Sequence, residues 1–205
     1  MRCFMPFPVQ RYVRTLNQFC VATGSFTEED VDRILDLEDL QKFQKGAIGG
    51  GSGQGALVNK KTRDSDVQWI THDPNSDWLF QKFSTLVSQV NYDHFMYDID
   101  GFDTFQYTIY KAKTKQHYDW HIDSGNVYSK YERKISASII LTDPEKYEGG
   151  EFECILHGRV DEPFVVKPKK GDVIFFSSWM PHRVRPVTSG VRKSVVCWVM
   201  GLRTH

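Results

Sequence analysis

The pattern of apolar positions changes character near residue 95. Before it, apolar residues recur at helical spacing; after it, they alternate with polar residues at a period of two, the spacing of strands that bury one face. Residues 1–10, with Pro6 and Pro8, read as an extended arm, and residues 12–19 as a first strand. Ser25, followed three positions later by Glu28, predicts a capping box with Ser25 as N-cap. The helix it opens carries Val31, Ile34, Leu35, Leu37 and Leu40 on one side and is expected to end at residues 43–46. A glycine-rich stretch at 49–55 breaks regular structure, and a short strand follows at 67–70. The turn Asp73-Pro74-Asn75-Ser76-Asp77 caps a second helix, whose stripe of Trp78, Leu79, Phe83, Leu86, Val87 and Val90 reaches about Asn91.

Strands are then expected at 105–110, 118–122, 135–141, 149–155, 164–167 and 173–176, with shorter pieces at Arg183-Val184 and 194–200. Eight short strands after two helices predict a mainly β fold with flanking helices, either a sandwich or a jelly-roll barrel with the helices on one side. We read one domain over 1–205, with helical support at about 25–91 and a jelly-roll core at about 95–203.

Composition narrows the functions open to such a fold. At 205 residues the chain can build one sizeable core. Lys+Arg and Asp+Glu both number 26, so it is not built chiefly to neutralise phosphates, and a nucleic-acid partner is not expected. No apolar run approaches the ~18 residues of a membrane helix, and the N-terminus lacks the apolar stretch of a signal peptide. Cys3, Cys20, Cys154 and Cys197 lie far apart with no CxxC pair, so they read as reduced thiols and the expected compartment is the cytoplasm. Gly51-x-Gly53-x-x-Ala56 has the spacing of a dinucleotide fingerprint but lacks the strand before and the helix after it. It reads as a surface loop of the kind that can cover a site.

The chemistry concentrates in Tyr118-Asp119-Trp120-His121-Ile122-Asp123 and, some sixty residues later, Met180-Pro181-His182-Arg183-Val184. Residues i and i+2 of a strand share a face, so His121 and Asp123 can converge on one ion. The same parity admits His117 and Asp119, and geometry alone does not choose between the pairs. Context favours the second, because Ser124-Gly125-Asn126 ends the strand just beyond it, while His117 follows the polar run 113–116. Tyr118 and Trp120 then fall on the opposite face. Two imidazoles and one carboxylate are the ligand set of non-haem Fe(II) sites with open positions. Arg192, ten residues after His182, is suited to bidentate carboxylate binding in a buried slot.

His-x-Asp, a distant His and a basic residue ten beyond it resemble the signature of the 2-oxoglutarate- and Fe(II)-dependent oxygenases, in their prolyl 4-hydroxylase-like branch with the PKHD-type hydroxylases. Other segments resemble that branch too: Arg63-Asp64-Ser65, Gln106-Tyr107-Thr108-Ile109-Tyr110, Arg133-Lys134-Ile135-Ser136, Tyr147-Glu148-Gly149-Gly150-Glu151-Phe152 and the run from Lys170 to Arg192. The resemblance covers roughly residue 20 to the end. It resolves the ambiguity in favour of His121, because the family's tyrosine stands three before the ligand histidine, as Tyr118 does. It implies a double-stranded β-helix core, Fe(II) held by His121, Asp123 and His182, and 2-oxoglutarate anchored by Arg192 with Tyr110 and Ser194 as hydroxyl partners. It further implies O2 as co-substrate, ascorbate as an auxiliary, and hydroxylation of an unactivated C–H bond, with a peptidyl prolyl residue as first expectation, coupled to decarboxylation of 2-oxoglutarate to succinate. Collagen-type members usually carry Lys where Arg192 stands, which tilts the resemblance toward the PKHD type.

Two alternatives remain at this level. The same chemistry could act on a free amino acid, another small molecule or a nucleobase, or the fold could be a non-catalytic metal- or sugar-binding jelly roll. Loops 45–66 and 124–134, the latter with Tyr128, Tyr131 and Arg133, are expected to set substrate choice, with Trp120 and Trp198 in the pocket and Trp179 and Arg183 at its rim. His72, His94, His157 and His205 read as structural or exposed.

Overall fold

A computed structural model describes residues 17–39, 41–49, 57–124, 130–156, 158 and 161–203. The expected strand at 12–16, Leu40, most of the glycine-rich stretch, Tyr128, His157 and His205 lie outside the described residues. The elements run β1 (Phe19–Ala22), α1 (Glu28–Leu35), β2 (Gln44–Lys45), β3 (Arg63–Asp64), β4 (Asp66–Ile70), α2 (Asp77–Val90), β5 (Gly101–Lys111), β6 (His117–His121) and β7 (Tyr131–Ile140). They continue with β8 (Tyr147–Gly149), β9 (Phe152–Cys154), β10 (Phe164–Val166), β11 (Val173–Ser177), β12 (His182–Val184) and β13 (Val187–Leu202). A π-helical turn, Asn91–Phe95, prolongs α2. None of the described helices is long and apolar enough to cross a membrane.

The strands form two antiparallel sheets. The larger has the order β1-β11-β7-β13-β5-β4-β2, with β8 also on β13; the smaller has the order β10-β9-β12-β6-β3. Together they make the jelly roll that the strand spacing predicted. Side-chain alternation divides the large sheet cleanly. Phe105, Tyr107, Ile109, Ile135, Ala137, Ile139, Val195 and Cys197 point one way and pack with Val31 and Ile34 of α1 and Leu79, Phe83 and Val87 of α2. Their neighbours Gln106, Thr108, Tyr110, Ser136, Ser138, Arg192 and Ser194 point the other way, into the space between the sheets, since cross-strand partners share a face. That interior is apolar toward one end, where Ile140, Phe152, Ile174, Phe176 and Val184 cluster, and polar toward the other.

Several local expectations are corrected. The capping box is Thr27 with Asp30, not Ser25 with Glu28. The Thr27 hydroxyl oxygen accepts from the Asp30 N–H at 3.2 Å, and the Asp30 carboxylate accepts from the Thr27 N–H at 2.8 Å. Ser25 instead donates to the Ala22 carbonyl at 3.1 Å and shapes the turn before the helix. Thr27→Ala is expected to cost about 1 kcal/mol, read from the midpoint of urea unfolding. The helix ends at Leu35, well short of 43–46; Leu37 and Phe43 still pack on the core, but from irregular chain. The first described strand is Phe19–Ala22, running past the expected end at Phe19. The strand expected over 149–155 breaks in two because Gly149 and Gly150 both adopt positive φ, at 70° and 65°. The last strand begins at Val187, seven residues early.

Candidate metal and co-substrate site

At the polar end of the interior, β6 and β12 run side by side with His182 paired to His121. Asp123 lies two residues past the end of β6, where its backbone N–H donates to the Ser178 carbonyl at 2.9 Å. The Nε2 atoms of His121 and His182 each stand 3.6 Å from an Asp123 carboxylate oxygen. The three ligand atoms lie within 4.8 Å of one another.

Backbone carbonyls set the tautomers. Nδ1 of His121 is 2.7 Å from the Asp119 carbonyl and Nδ1 of His182 is 2.9 Å from the Met180 carbonyl. A carbonyl only accepts, so each Nδ1 carries the proton and each Nε2 presents a lone pair to the common point. Burial, then the neighbouring His182, pushes the His121 imidazole from 6.5 down to about 4. Burial alone would raise the Asp123 carboxyl, but the two imidazoles and Arg133 outweigh it and hold it below the ordinary carboxylate range. Two imidazole nitrogens and one carboxylate converging on one point suit a divalent cation, and this donor set suits Fe(II).

The alternative pair stands elsewhere. His117 turns its ring nitrogens to the Lys115 and Lys61 carbonyls, both at 3.1 Å, and Asp119 is exposed and accepts from the Trp120 N–H. His117→Ala is expected to leave iron binding and turnover within about twofold of the parent, as for a substitution outside the site; iron titration of the variant checks this.

Two irregularities aim the site. Tyr118 was expected on the face opposite His121, yet its ring stacks on the His121 imidazole, centroids 3.4 Å apart and 12° from parallel. The cause is a β-bulge. His182 pairs with His121 and Val184 with Tyr118, so Asp119 and Trp120 together oppose Arg183, and three positions on β6 span what two span on β12. Trp120 thereby leaves the pocket it was expected to line, and the Arg183 guanidinium covers it at 4.7 Å. Arg183 itself is held by the buried Glu153 at 2.6 Å. Behind Tyr118 lies Arg63, its guanidinium carbon 4.6 Å from the ring centroid, with N–H groups donated to Ser65, the Ala47 carbonyl and Gln106. A second bulge, at Lys134, pairs Arg133 with Met200 and so turns Arg133 onto the interior face. Its guanidinium lies 4.0 Å from the centroid of the Trp198 ring, and Trp69 stands 6.2 Å beyond that ring. Trp179 is exposed, against Tyr97. His72 pairs with Asp77 and His94 with Asn17, as structural histidines do.

Arg192 lies on β13 directly opposite Tyr110, and only 2% of it is exposed. Nη1 donates to the Ser194 hydroxyl at 3.1 Å, the guanidinium carbon is 5.6 Å from the Tyr110 ring centroid, and buried Nε has no partner. Among the described residues no carboxylate pairs with it. A buried cation left in that state is costly and its free donor is aimed for an anion, so the slot fits the carboxylate of a co-substrate beside the metal point. Sequence reasoning missed what shapes the slot. A Cβ on Gly150 would lie 3.0 Å from Arg192 Cδ and 2.9 Å from Val187 Cγ2, so the double-glycine turn walls the arginine stem. Gly150→Ala is expected to raise the 2-oxoglutarate concentration needed for half-maximal turnover. Gly158→Ala, also at positive φ but facing open space, should not; titration of both variants separates contact from backbone strain.

A jelly roll with two histidines and a carboxylate converging on one point, and a buried arginine on the same interior face, is an arrangement suited to a divalent metal and a carboxylate-bearing ligand. Residues 105–200 match the family model of the 2OG-Fe(II) oxygenase superfamily. Within it the chain is similar to the PKHD-type hydroxylases. The one from Aliarcobacter butzleri is 36% identical over 100 residues, 45% of this chain and 42% of that relative. The chain thus spans less than half the length of the curated relatives it matches. Solved structures show the same fold: a prolyl-4-hydroxylase from Pseudomonas putida has a TM-score of 0.66 at 20% identity, covering 92% of this chain and 94% of its own. A prolyl hydroxylase from Trichoplax adhaerens, in complex with a hypoxia inducible factor peptide fragment, has a TM-score of 0.71 at 19% identity, covering 89% and 83%.

Proposed function

We propose that the protein is an Fe(II)- and 2-oxoglutarate-dependent hydroxylase of an unactivated C–H bond in a polypeptide, with a prolyl residue as the first target to test. The observation that carries this reading is the His121–Asp123–His182 cluster together with a buried Arg192 that lacks an anion among the described residues; Tyr110, opposite Arg192, feels the charges of both Arg192 and Asp123. Fe(II) at the cluster, with 2-oxoglutarate oxidised to succinate and CO2, supplies the oxidising chemistry. The chain's own residues do the rest. His121, Asp123 and His182 would hold the metal, each offering one ligand atom. Arg192 pairs with the distal carboxylate of 2-oxoglutarate, steadied by Ser194 and faced by Tyr110. Phe176 and Phe152, packed on His182, keep water from the inner side of the site.

The polypeptide part of the reading rests on the outer rim. Arg133, Trp198 and Trp69 form a row across the interior face, and the buried Trp198 Nε1 has no acceptor. A guanidinium and an indole N–H are donors suited to backbone carbonyls, and the flat rings suit a pyrrolidine. The peptide held by the Trichoplax adhaerens neighbour agrees with this choice. Hydroxylation of a free amino acid, another small molecule or a nucleobase is the second reading, and a non-catalytic binding module the third. The deciding experiment incubates the iron-loaded protein with 2-oxoglutarate and separate libraries of proline-containing peptides, free amino acids and nucleosides, following succinate and the gain of one oxygen atom by mass. An oxygenated peptide supports the proposal. Oxygenation confined to the other libraries moves the substrate, and no succinate over the whole panel points to the binding module.

A further inference from the structure

The two sheets end very differently at their two edges. On the side of Arg63 the end strands are β2, Gln44–Lys45, and β3, Arg63–Asp64. Both are two residues long and three of their four residues are charged, which is how proteins keep a free strand edge from pairing. On the other side the end strands are β1, Phe-Cys-Val-Ala at 19–22, and β10, Phe-Val-Val at 164–166. Among the described residues each is hydrogen-bonded along one edge only, and neither carries a charge or a proline.

These two unguarded edges border one groove of about 710 Å³, within the usual ~300–1,000 Å³ of a ligand site. Phe19 and Val21 from β1 and Phe164 and Val166 from β10 line it, in each case alternate residues of a strand. The Phe19 and Phe164 rings meet edge-on at 5.8 Å, joining the two walls. Phe164 and Val165 remain 46% and 39% exposed, an unusual state for apolar residues of a core strand.

The rim is positive. Lys167 and Lys169 are exposed and form no ion pair among the described residues, while Lys170 is shared with Glu28 and Asp32 of α1. The one lining carboxylate, Asp172, is spent on the backbone: it accepts from the Gly24 N–H at 2.8 Å and the Lys169 N–H at 2.7 Å. The lysines stand past the end of β10 rather than on it, so they leave the edge open to pairing and select what approaches it.

We infer that this groove is a docking site for an extended segment of a partner protein, one that alternates acidic and apolar residues and adds as a strand to the free edge of β10. Main-chain hydrogen bonds to the edge supply the affinity, alternate apolar side chains fill the space between Phe164, Val166, Phe19 and Val21, and carboxylates meet Lys167 and Lys169. The site is separate from the metal cluster, two strands away from β12 in the small sheet. It does not depend on the reaction proposed above.

The test is fluorescence anisotropy on the full chain with three labelled probes: a peptide of alternating glutamate and valine, its lysine counterpart, and the glutamate peptide N-methylated at alternate residues. The glutamate peptide is expected to bind, the other two to bind at least about tenfold more weakly, and the Lys167→Glu/Lys169→Glu variant to lose about tenfold for the glutamate peptide. Succinate formation by that variant should match the parent. No binding up to about 1 mM, binding indifferent to N-methylation or to the charge reversal, or a self-associated chain whose dimer dissolves on charge reversal would each overturn the inference.

Discussion

Replacing His182 with alanine is expected to abolish Fe(II) retention and, with it, any 2-oxoglutarate turnover. The imidazole is 4% exposed, its proton is committed to the Met180 carbonyl, and among the described residues its Nε2 has no polar partner except Asp123. Loss of a residue that only orients a ligand typically costs 10–100-fold in metal affinity, so removing a ligand itself should cost at least about a hundredfold. Isothermal titration with Fe(II) under anaerobic conditions reads the loss directly, and circular dichroism establishes that the variant is folded. The second check matters because the ring also packs against Phe152 and Phe176. A folded variant that still binds iron and forms succinate would remove His182 from the site.

Arg192→Ala should give the complementary result: iron bound as in the parent, 2-oxoglutarate bound poorly. Truncating one partner of a buried, hydrogen-bonded charge pair costs about 2–5 kcal/mol, which at the lower end is a rise of about thirtyfold in the co-substrate requirement. Stability offers a second readout. Without co-substrate the buried guanidinium has no counter-ion among the described residues, so its removal should not destabilise the protein as breaking a buried pair would. Added at about a hundred times its Kd, 2-oxoglutarate should stabilise the parent by about 2.7 kcal/mol, and the variant far less. Thermal melts with and without 2-oxoglutarate test both statements. An unchanged 2-oxoglutarate requirement would refute the anchor role.

Much of this arrangement was legible in the residues themselves. Period-two alternation located nearly every strand of the jelly roll, because central strands such as β5 bury unlike faces, helix-packed on one side and largely polar on the other, while β11 was legible as a short run apolar on both faces. His121, Asp123 and His182, singled out by type and spacing, converge in the folded chain, and Arg192 meets Ser194 and Tyr110, the hydroxyl partners that the family resemblance implied. What could not be read follows from physics that is not periodic. The capping box moved from Ser25 to Thr27 because either hydroxyl offers the same side-chain chemistry, and only the approach of the chain from β1 decides which one meets the helix. The first helix stopped early because Leu37 and Phe43 supply helical spacing while packing from irregular backbone. Arg63 escaped notice as a neighbour of the metal ligand because it arrives from a strand more than fifty residues upstream, through the pairing of β3 with β6. The strict alternation that found the strands also misplaced Tyr118.

That last error points to how the site is encoded. The ligand histidine and the tyrosine stacked on it share a face only because β6 holds one residue more than β12 needs between the same two pairs. The information therefore lies in a count, not in the chemistry of Asp119 or Trp120, both of which turn away from the metal. Either position can exchange its side chain freely as far as iron is concerned, but neither can be deleted: a chain one residue shorter would trade the tyrosine for its neighbour and slide the histidine off its partner carbonyl. Across relatives, the length of this segment should be held more tightly than its composition, and a gap there would mark a protein in which the tyrosine no longer stacks on this histidine.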